Sequence, residues 1–143
     1  MNTMQKIALS AVVATAGALT VLPATAHHST AAFDGDKVVK IEGTVRQFRW
    51  INPHASFKVE GVSEGNLPDG LWTVEMTAPN VLINQGWTRT ALQEGDKITV
   101  FVNPLRNAIT LNDGSQGGLY VGVVLASGKK LGVTNGTGRG SSQ

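Results

Sequence analysis

"KVVKIEGTVRQFRW", residues 37–50, is the stretch that decides the fold. Apolar and polar residues alternate from residue 39 to residue 46, which is the period of a β-strand with one buried face. After residue 46 the apolar positions shift by one, to Phe48 and Trp50. A one-residue shift predicts a β-bulge, and Gly43 permits strong coiling close to it. We therefore expect a long, bent first strand, which is typical of small closed barrels.

Four further segments are predicted as strands, with one short helix among them. The segments that contain strands are ASFKVEGV (55–62), LWTVEM (71–76), EGDKITVFVNP (94–104) and GGLYVGVVLASGKKLGV (117–133). The helix is predicted in TAPNVLINQGW, where Pro79 suits the first turn and Gly86 suits the end. Three strands, a helix and two strands is the order of an OB-like five-stranded barrel. The alternative architecture is a small antiparallel sandwich.

Residues 1–26 have the pattern of a secretory signal peptide. Lys6 carries the only charge of this stretch, and an apolar run follows it. That run is shorter than the roughly 20 residues of a membrane-spanning helix, and Ala24-Thr25-Ala26 has the small-x-small form of a cleavage site. We expect cleavage after Ala26. His27 would then begin an exported protein, periplasmic or secreted, with no stable membrane anchor.

The composition excludes several classes of function. The chain has 12 lysines and arginines against 10 aspartates and glutamates, and these charges are dispersed. Neither a nucleic-acid footprint nor a polybasic membrane patch is present. The absence of cysteine excludes disulfides and thiolate ligands. We expect one barrel domain at 27–133, followed at 134–143 by a Gly/Ser-rich tail whose composition predicts disorder.

The chain has three histidines, His27, His28 and His54. Cleavage would give His27 a free α-amine, whose ordinary pKa of about 7.7–8.0 lets a metal displace its proton easily. That amine and the His27 ring can chelate one ion together, and His54 would add a second imidazole from the NPHA turn. A tetragonal set of nitrogens suits Cu(II). The pattern predicts a copper site in which His28 either replaces His54 or tunes the site as a neighbour.

This set of ligands resembles the histidine brace of copper-dependent polysaccharide oxygenases and of some periplasmic copper carriers. The likeness concerns the ligands alone, not the fold or the sequence. Metal binding or handling is favoured over catalysis, because no motif marks a substrate groove or a redox partner. No Gly-x-Ser-x-Gly nucleophile motif occurs. If the protein were an enzyme, copper-dependent oxidation would be the class of reaction.

Four other side chains are possible metal ligands. Asp34, Asp36 and Glu75 offer carboxylate oxygens, and Met76 offers a thioether for Cu(I). Each also has a structural interpretation. The two aspartates suit turns, and Met76 suits the apolar face of its strand.

Two alternatives do not involve a metal. Trp50, Trp72, Trp87 and Tyr120 could line a stacking surface in a periplasmic binding module for a small ligand, a saccharide or a protein partner. Packing in the core is the competing interpretation of these aromatic residues. The other alternative is a structural envelope protein in which His54 only caps its turn.

Motifs along the chain resemble an uncharacterised family of short exported proteins of Gram-negative bacteria, catalogued as a domain of unknown function. They are HHS after the signal, EGTV…W.NPHA, W.VEM..PN.L...GW.R..L..GD.ITV and L.SGKKL. The likeness covers residues 27–131, with a departure at 108–117, where this chain is longer. The resemblance implies export and a compact β domain. It implies no catalytic residue.

Overall fold

A computed structural model describes residues 30–107 and 109–140. Within this part of the chain a 3-10 turn at Thr30–Ala32 precedes six strands and one α-helix. The elements are β1 (Val39–Arg49), β2 (Ser56–Ser63), β3 (Gly70–Glu75), α1 (Pro79–Asn84), β4 (Lys97–Pro104), β5 (Gln116–Val124) and β6 (Lys130–Gly132). No helix among these residues has the length and apolar character that crossing a bilayer requires.

Strands β1 to β5 close into a barrel. β1 pairs antiparallel with β2 and with β4, β2 pairs with β3, and β4 pairs with β5. Parallel pairing between β3 and β5 completes the ring. The predicted all-β fold, a five-stranded OB-like barrel with its helix between the third and fourth strands, is therefore confirmed.

The bulge that the sequence predicts in β1 is present. Val45 pairs with Val59 and Gln47 pairs with Lys58, so Arg46 is the extra residue in the ladder. An extra residue in one strand bends it and increases its twist. The bend lets β1 pair with β2 on one side and with β4 on the other.

Two glycines allow β1 and β2 to approach closely. Gly43 and Gly61 stand opposite each other. A Cβ atom on Gly61 would lie 2.1 Å from the backbone oxygen of Glu42, and one on Gly43 would lie 2.4 Å from that of Glu60. Because these contacts are with backbone atoms, no side chain can move aside to relieve them. Glycine is required at both positions.

The core combines the inner faces of the strands with the helical segment. α1 begins at Pro79, and Gly86, at φ 87°, follows its end, as the sequence predicts. Leu82 and Trp87 are buried in the barrel interior. The ring of Trp87 packs edge-on against Tyr120, with centroids 5.3 Å apart.

The loop between β4 and β5 includes most of the stretch in which the sequence departs from the family pattern. Asp113 anchors it, because its carboxylate lies 2.6 Å from the Lys58 ammonium and accepts the Ser115 hydroxyl at 2.6 Å. These hydrogen bonds hold the pKa of Asp113 well below its usual range. The buried Ser115 also contacts the Thr73 hydroxyl at 2.7 Å. The loop is thereby fixed to the outside of β2 and β3.

A short sixth strand was not predicted. The turn at 125–129 is closed by the Leu125 N–H, which donates to the Lys129 oxygen at 2.8 Å. β6 then returns antiparallel to β5. The sequence predicted a turn after the fifth strand but not the strand that follows it.

The C-terminal stretch 134–140 is bound to the barrel by the side chain of Asn103. This amide is 1% exposed and donates to the backbone oxygens of Lys37, at 2.7 Å, and Gly138, at 3.2 Å. Its oxygen accepts the Gly140 N–H at 2.7 Å. Composition predicts disorder from residue 134, whereas the described part of the tail carries these hydrogen bonds. One buried amide thus joins the segments before β1 and after β6.

Replacing Asn103 tests this link. Asn103→Ala removes three hydrogen bonds, so we expect the free energy of unfolding to fall by about 1–3 kcal/mol. We also expect trypsin to cut faster after Arg139, because the neighbouring glycines lose their anchor. Urea unfolding and limited digestion measure the two effects. Asn66→Ala, at an exposed loop position, is the control and should change neither. Wild-type behaviour of Asn103→Ala in both assays would contradict the assignment.

Candidate metal site

The structure describes one of the three predicted ligands. His54 lies in the turn that joins β1 to β2 and is partly buried. His27 and His28, like the predicted signal peptide before them, lie outside the described residues. The surroundings of the site are therefore defined by His54 and by Thr30, where the description of the chain begins.

Ala55 fixes the position of His54. Its N–H donates to the Thr77 oxygen at 3.1 Å, and its own oxygen accepts the Met76 N–H at 3.0 Å. These bonds hold the turn against the end of β3. The Ala55 side chain is fully buried. Because side chains alternate along an extended chain, His54 and Ser56 face the outside of the barrel.

Glu75 lies on the same outer face, next to this turn. It pairs with Ser56 on β2 and with Leu119 on β5. Its neighbours Val74 and Met76 are fully buried in the core, so the candidate thioether of Met76 has the packing role. The Oε2 atom of Glu75 is buried and has no hydrogen-bond partner among the described residues. Among the described residues, no other carboxylate oxygen is both buried and without a hydrogen-bond partner.

The N-terminal arm enters on the same side of the barrel. Backbone hydrogen bonds to residues 104–106 hold the arm. Thr30 then lines a cavity of about 220 Å³ together with Leu119. Leu119 is the neighbour of Glu75 across the β3–β5 ladder. Thr30 therefore borders the same cavity as Leu119, the residue that pairs with Glu75.

The two candidate aspartates are engaged in ion pairs. Asp34 lies 3.2 Å from the Lys37 ammonium and 3.6 Å from the Arg106 guanidinium, and Asp36 pairs with Arg139. Burial raises the pKa of Asp34, but hydrogen bonds and the two cations outweigh this effect and leave the pKa below its usual value. Among residues 30–107 and 109–140, no three His, Asp or Glu side chains form a group that could hold a metal ion. A site at His54 with three such ligands would thus include at least one from outside the described residues.

Comparison with known proteins places the candidate site within a family. The model of the family of unknown function DUF6152 matches residues 14–117. The chain belongs to this family. The matched range includes the three histidines and Glu75, and the family resemblance drawn from the motifs is confirmed. No curated protein matches the chain, and no solved structure matches it.

In this DUF6152 member, most of the candidate stacking residues lie in the core. Trp72 and Trp87 are 1% exposed and Tyr120 is 6% exposed, whereas Trp50 is partly buried and packs against the core. The Tyr120 hydroxyl donates to the Leu131 oxygen at 2.9 Å. Burial raises the pKa of Tyr120 well above its usual value, and the nearby Trp87 indole offsets part of the effect. Three of the four rings are thus unavailable for stacking.

The core assignment of Tyr120 is testable. Tyr120→Phe keeps the ring but leaves the Leu131 oxygen without its donor, so we expect the free energy of unfolding to fall by about 1–2 kcal/mol. Urea unfolding measures the loss. Thr110→Ala removes a long, exposed hydrogen bond with Gln116 and should change stability by less than about 0.5 kcal/mol. Equal stability of Tyr120→Phe and the wild type would show that the buried hydrogen bond is unimportant.

Proposed function

We propose that this protein is exported to the periplasm and binds a copper ion through its mature N-terminus and His54. Cleavage after Ala26 would free the His27 amine, which chelates the ion together with the His27 ring. His54 adds the second imidazole, and His28 stands beside the site. The observation that carries the proposal is that Thr30 lines a cavity with Leu119, and that Leu119 pairs with Glu75, which in turn pairs with Ser56, two residues after His54.

The distances support this arrangement. Neighbouring strands are about 4.7–4.9 Å apart, so the path from Leu119 through Glu75 to Ser56 is about 10 Å. Two residues lie between His27 and Thr30, so the chain makes three steps of about 3.3–3.6 Å each when extended, or about 10–11 Å in all. The extended length of that segment is close to the distance across the strands from Leu119 to Ser56, and the His27 and His54 side chains would add to the reach.

The chemistry of these donors favours copper and a binding role. One amine and two imidazoles form an all-nitrogen set, which suits tetragonal Cu(II), and Cu(II) stands highest in the affinity order of divalent metals. All three donors must lose protons before they bind a metal. The proposed role is to bind or handle copper, with the ion as cargo or resident metal.

Export and cleavage are tested first. The full chain, expressed with its own leader in a Gram-negative host, should appear in the periplasmic fraction, and mass spectrometry should find His27 as its first residue. Ala26→Arg puts a long, charged side chain at the cleavage position and should prevent processing. Cytoplasmic retention, an uncut chain or a cut elsewhere would overturn the proposed amine ligand.

Copper binding is tested on the exported protein. Cu(II) titration should show one tightly bound ion per chain, with affinity that falls in acid, because protons compete with the metal for the nitrogen donors. His54→Ala should weaken Cu(II) binding by at least about tenfold. One extra residue before His27 should do the same, because it separates the amine from the ring.

The His28→Ala variant is the matched comparison for His54→Ala. A smaller loss is expected for His28→Ala, and the reverse order would make His28 the second imidazole. Unchanged affinity in both His54→Ala and the extended chain would overturn the proposal. That result would favour a metal-free binding module. The surface available to such a module includes an open depression of about 570 Å³ over β1, β2 and β4, bordered by Glu42, Glu60 and Lys97.

A further inference from the structure

We propose that Glu75 is the oxygen ligand that completes this copper site. The inference rests on the proposed function, and it adds a ligand from β3 to the histidine set. Glu75 Oε2 is buried without a hydrogen-bond partner among the described residues. Burying a carboxylate oxygen is unfavourable unless a cation or a hydrogen-bond donor meets it. The atom therefore marks a position that a group from outside the described residues occupies.

Three cationic side chains near this face have other acidic partners, whereas Arg49, which lies opposite Ser56 on β1, forms no ion pair within the described residues. Three ion pairs define the arrangement: Lys58 with Asp113, Arg106 with Asp34, and Arg139 with Asp36. Glu75 takes part in no ion pair within residues 30–107 and 109–140. A bound metal ion would supply the positive charge that the Glu75 carboxylate lacks.

Glu75 lies between the turn that carries His54 and the cavity that Thr30 lines. This position suits an additional ligand of the proposed site. On one side it pairs with Ser56, two residues after His54, and on the other it pairs with Leu119, which borders the same cavity as Thr30. Diagonal neighbours on one face of an antiparallel pair are about 7–8 Å apart, which is within reach of long side chains. An ion between the ends of the His54 and Glu75 side chains would also be open to the chain arriving from Thr30.

A carboxylate has a specific chemical consequence at a copper site. Three neutral nitrogens and one carboxylate give a tetragonal N/O set, which suits Cu(II), whereas Cu(I) prefers softer sulfur ligands. The negative charge stabilises the divalent ion more than the monovalent ion. Glu75 should therefore lower the reduction potential of the bound copper as well as raise the affinity for Cu(II).

Glu75→Gln tests the inference, because it keeps the size of the side chain and removes its charge. In the exported protein we expect Cu(II) affinity to fall at least about tenfold, the reduction potential to rise and the copper EPR spectrum to change. Glu94→Gln, at an exposed position in the loop before β4, is the matched control and should leave all three measurements unchanged. The g and copper hyperfine values in the wild-type EPR spectrum should be those of three nitrogens and one oxygen, and this measurement does not require a variant that folds.

The outcomes separate the two proposals. Wild-type affinity, potential and EPR spectrum in Glu75→Gln, together with copper binding lost in His54→Ala, would overturn the role of Glu75 and leave the histidine site intact. Wild-type EPR values of an all-nitrogen set would do the same. A wild-type protein that binds no copper would overturn both.

Discussion

The parallel pairing of β3 with β5 is the contact on which the rest of this structure depends. It joins residues 72–75 to residues 116–119 and turns an open sheet into a closed barrel. Without it, β3 would be an edge strand with unpaired backbone groups, and Trp72 would lose part of its enclosure. The same pairing sets Glu75 beside Leu119. The pairing that closes the barrel therefore also determines the position of Glu75 next to β5.

The two ends of the described chain depend on the barrel in a related way. Asn103 lies opposite Leu119 in the β4–β5 ladder, and its amide binds the segments that lead into β1 and away from β6. Both segments lie outside the barrel wall, where hydrophobic burial is limited. Because its hydrogen bonds are directional, the buried amide fixes the paths of both segments, which packing alone would not do there. The position of the arm at Lys37 thus depends on a polar residue near the end of β4.

Local patterns predicted the elements of this fold. The shift of alternation after Val45 identified the bulge at Arg46 because a bulge changes which face each later residue occupies. Pro79 and Gly86 indicated the limits of the helix because both act through their own backbone geometry. The order of these elements was enough to predict a closed barrel.

Long-range contacts could not be predicted from the same patterns. The register of β3 against β5 joins segments about forty positions apart, and no local signal sets it. In the sequence, Glu75 is a carboxylate between two core residues. This pattern occurs in any strand that has one exposed face. Its unpartnered oxygen appears only when the barrel closes. Similarly, the glycine-rich sequence of 134–140 resembles a linker. Its hydrogen bonds with the Asn103 amide are apparent only in the folded structure.

The proposed ligands come from two parts of the chain, and they become available at different times. The barrel supplies His54 and Glu75 as soon as it folds, because strand pairing fixes their backbones. In the proposal, the α-amine of His27 does not exist until the leader has been removed. An uncut chain would lack the amine donor, so it would bind copper more weakly in the compartment where it is made. Cleavage would therefore complete the site only after export, and the position of the cut would decide where the protein acquires its metal.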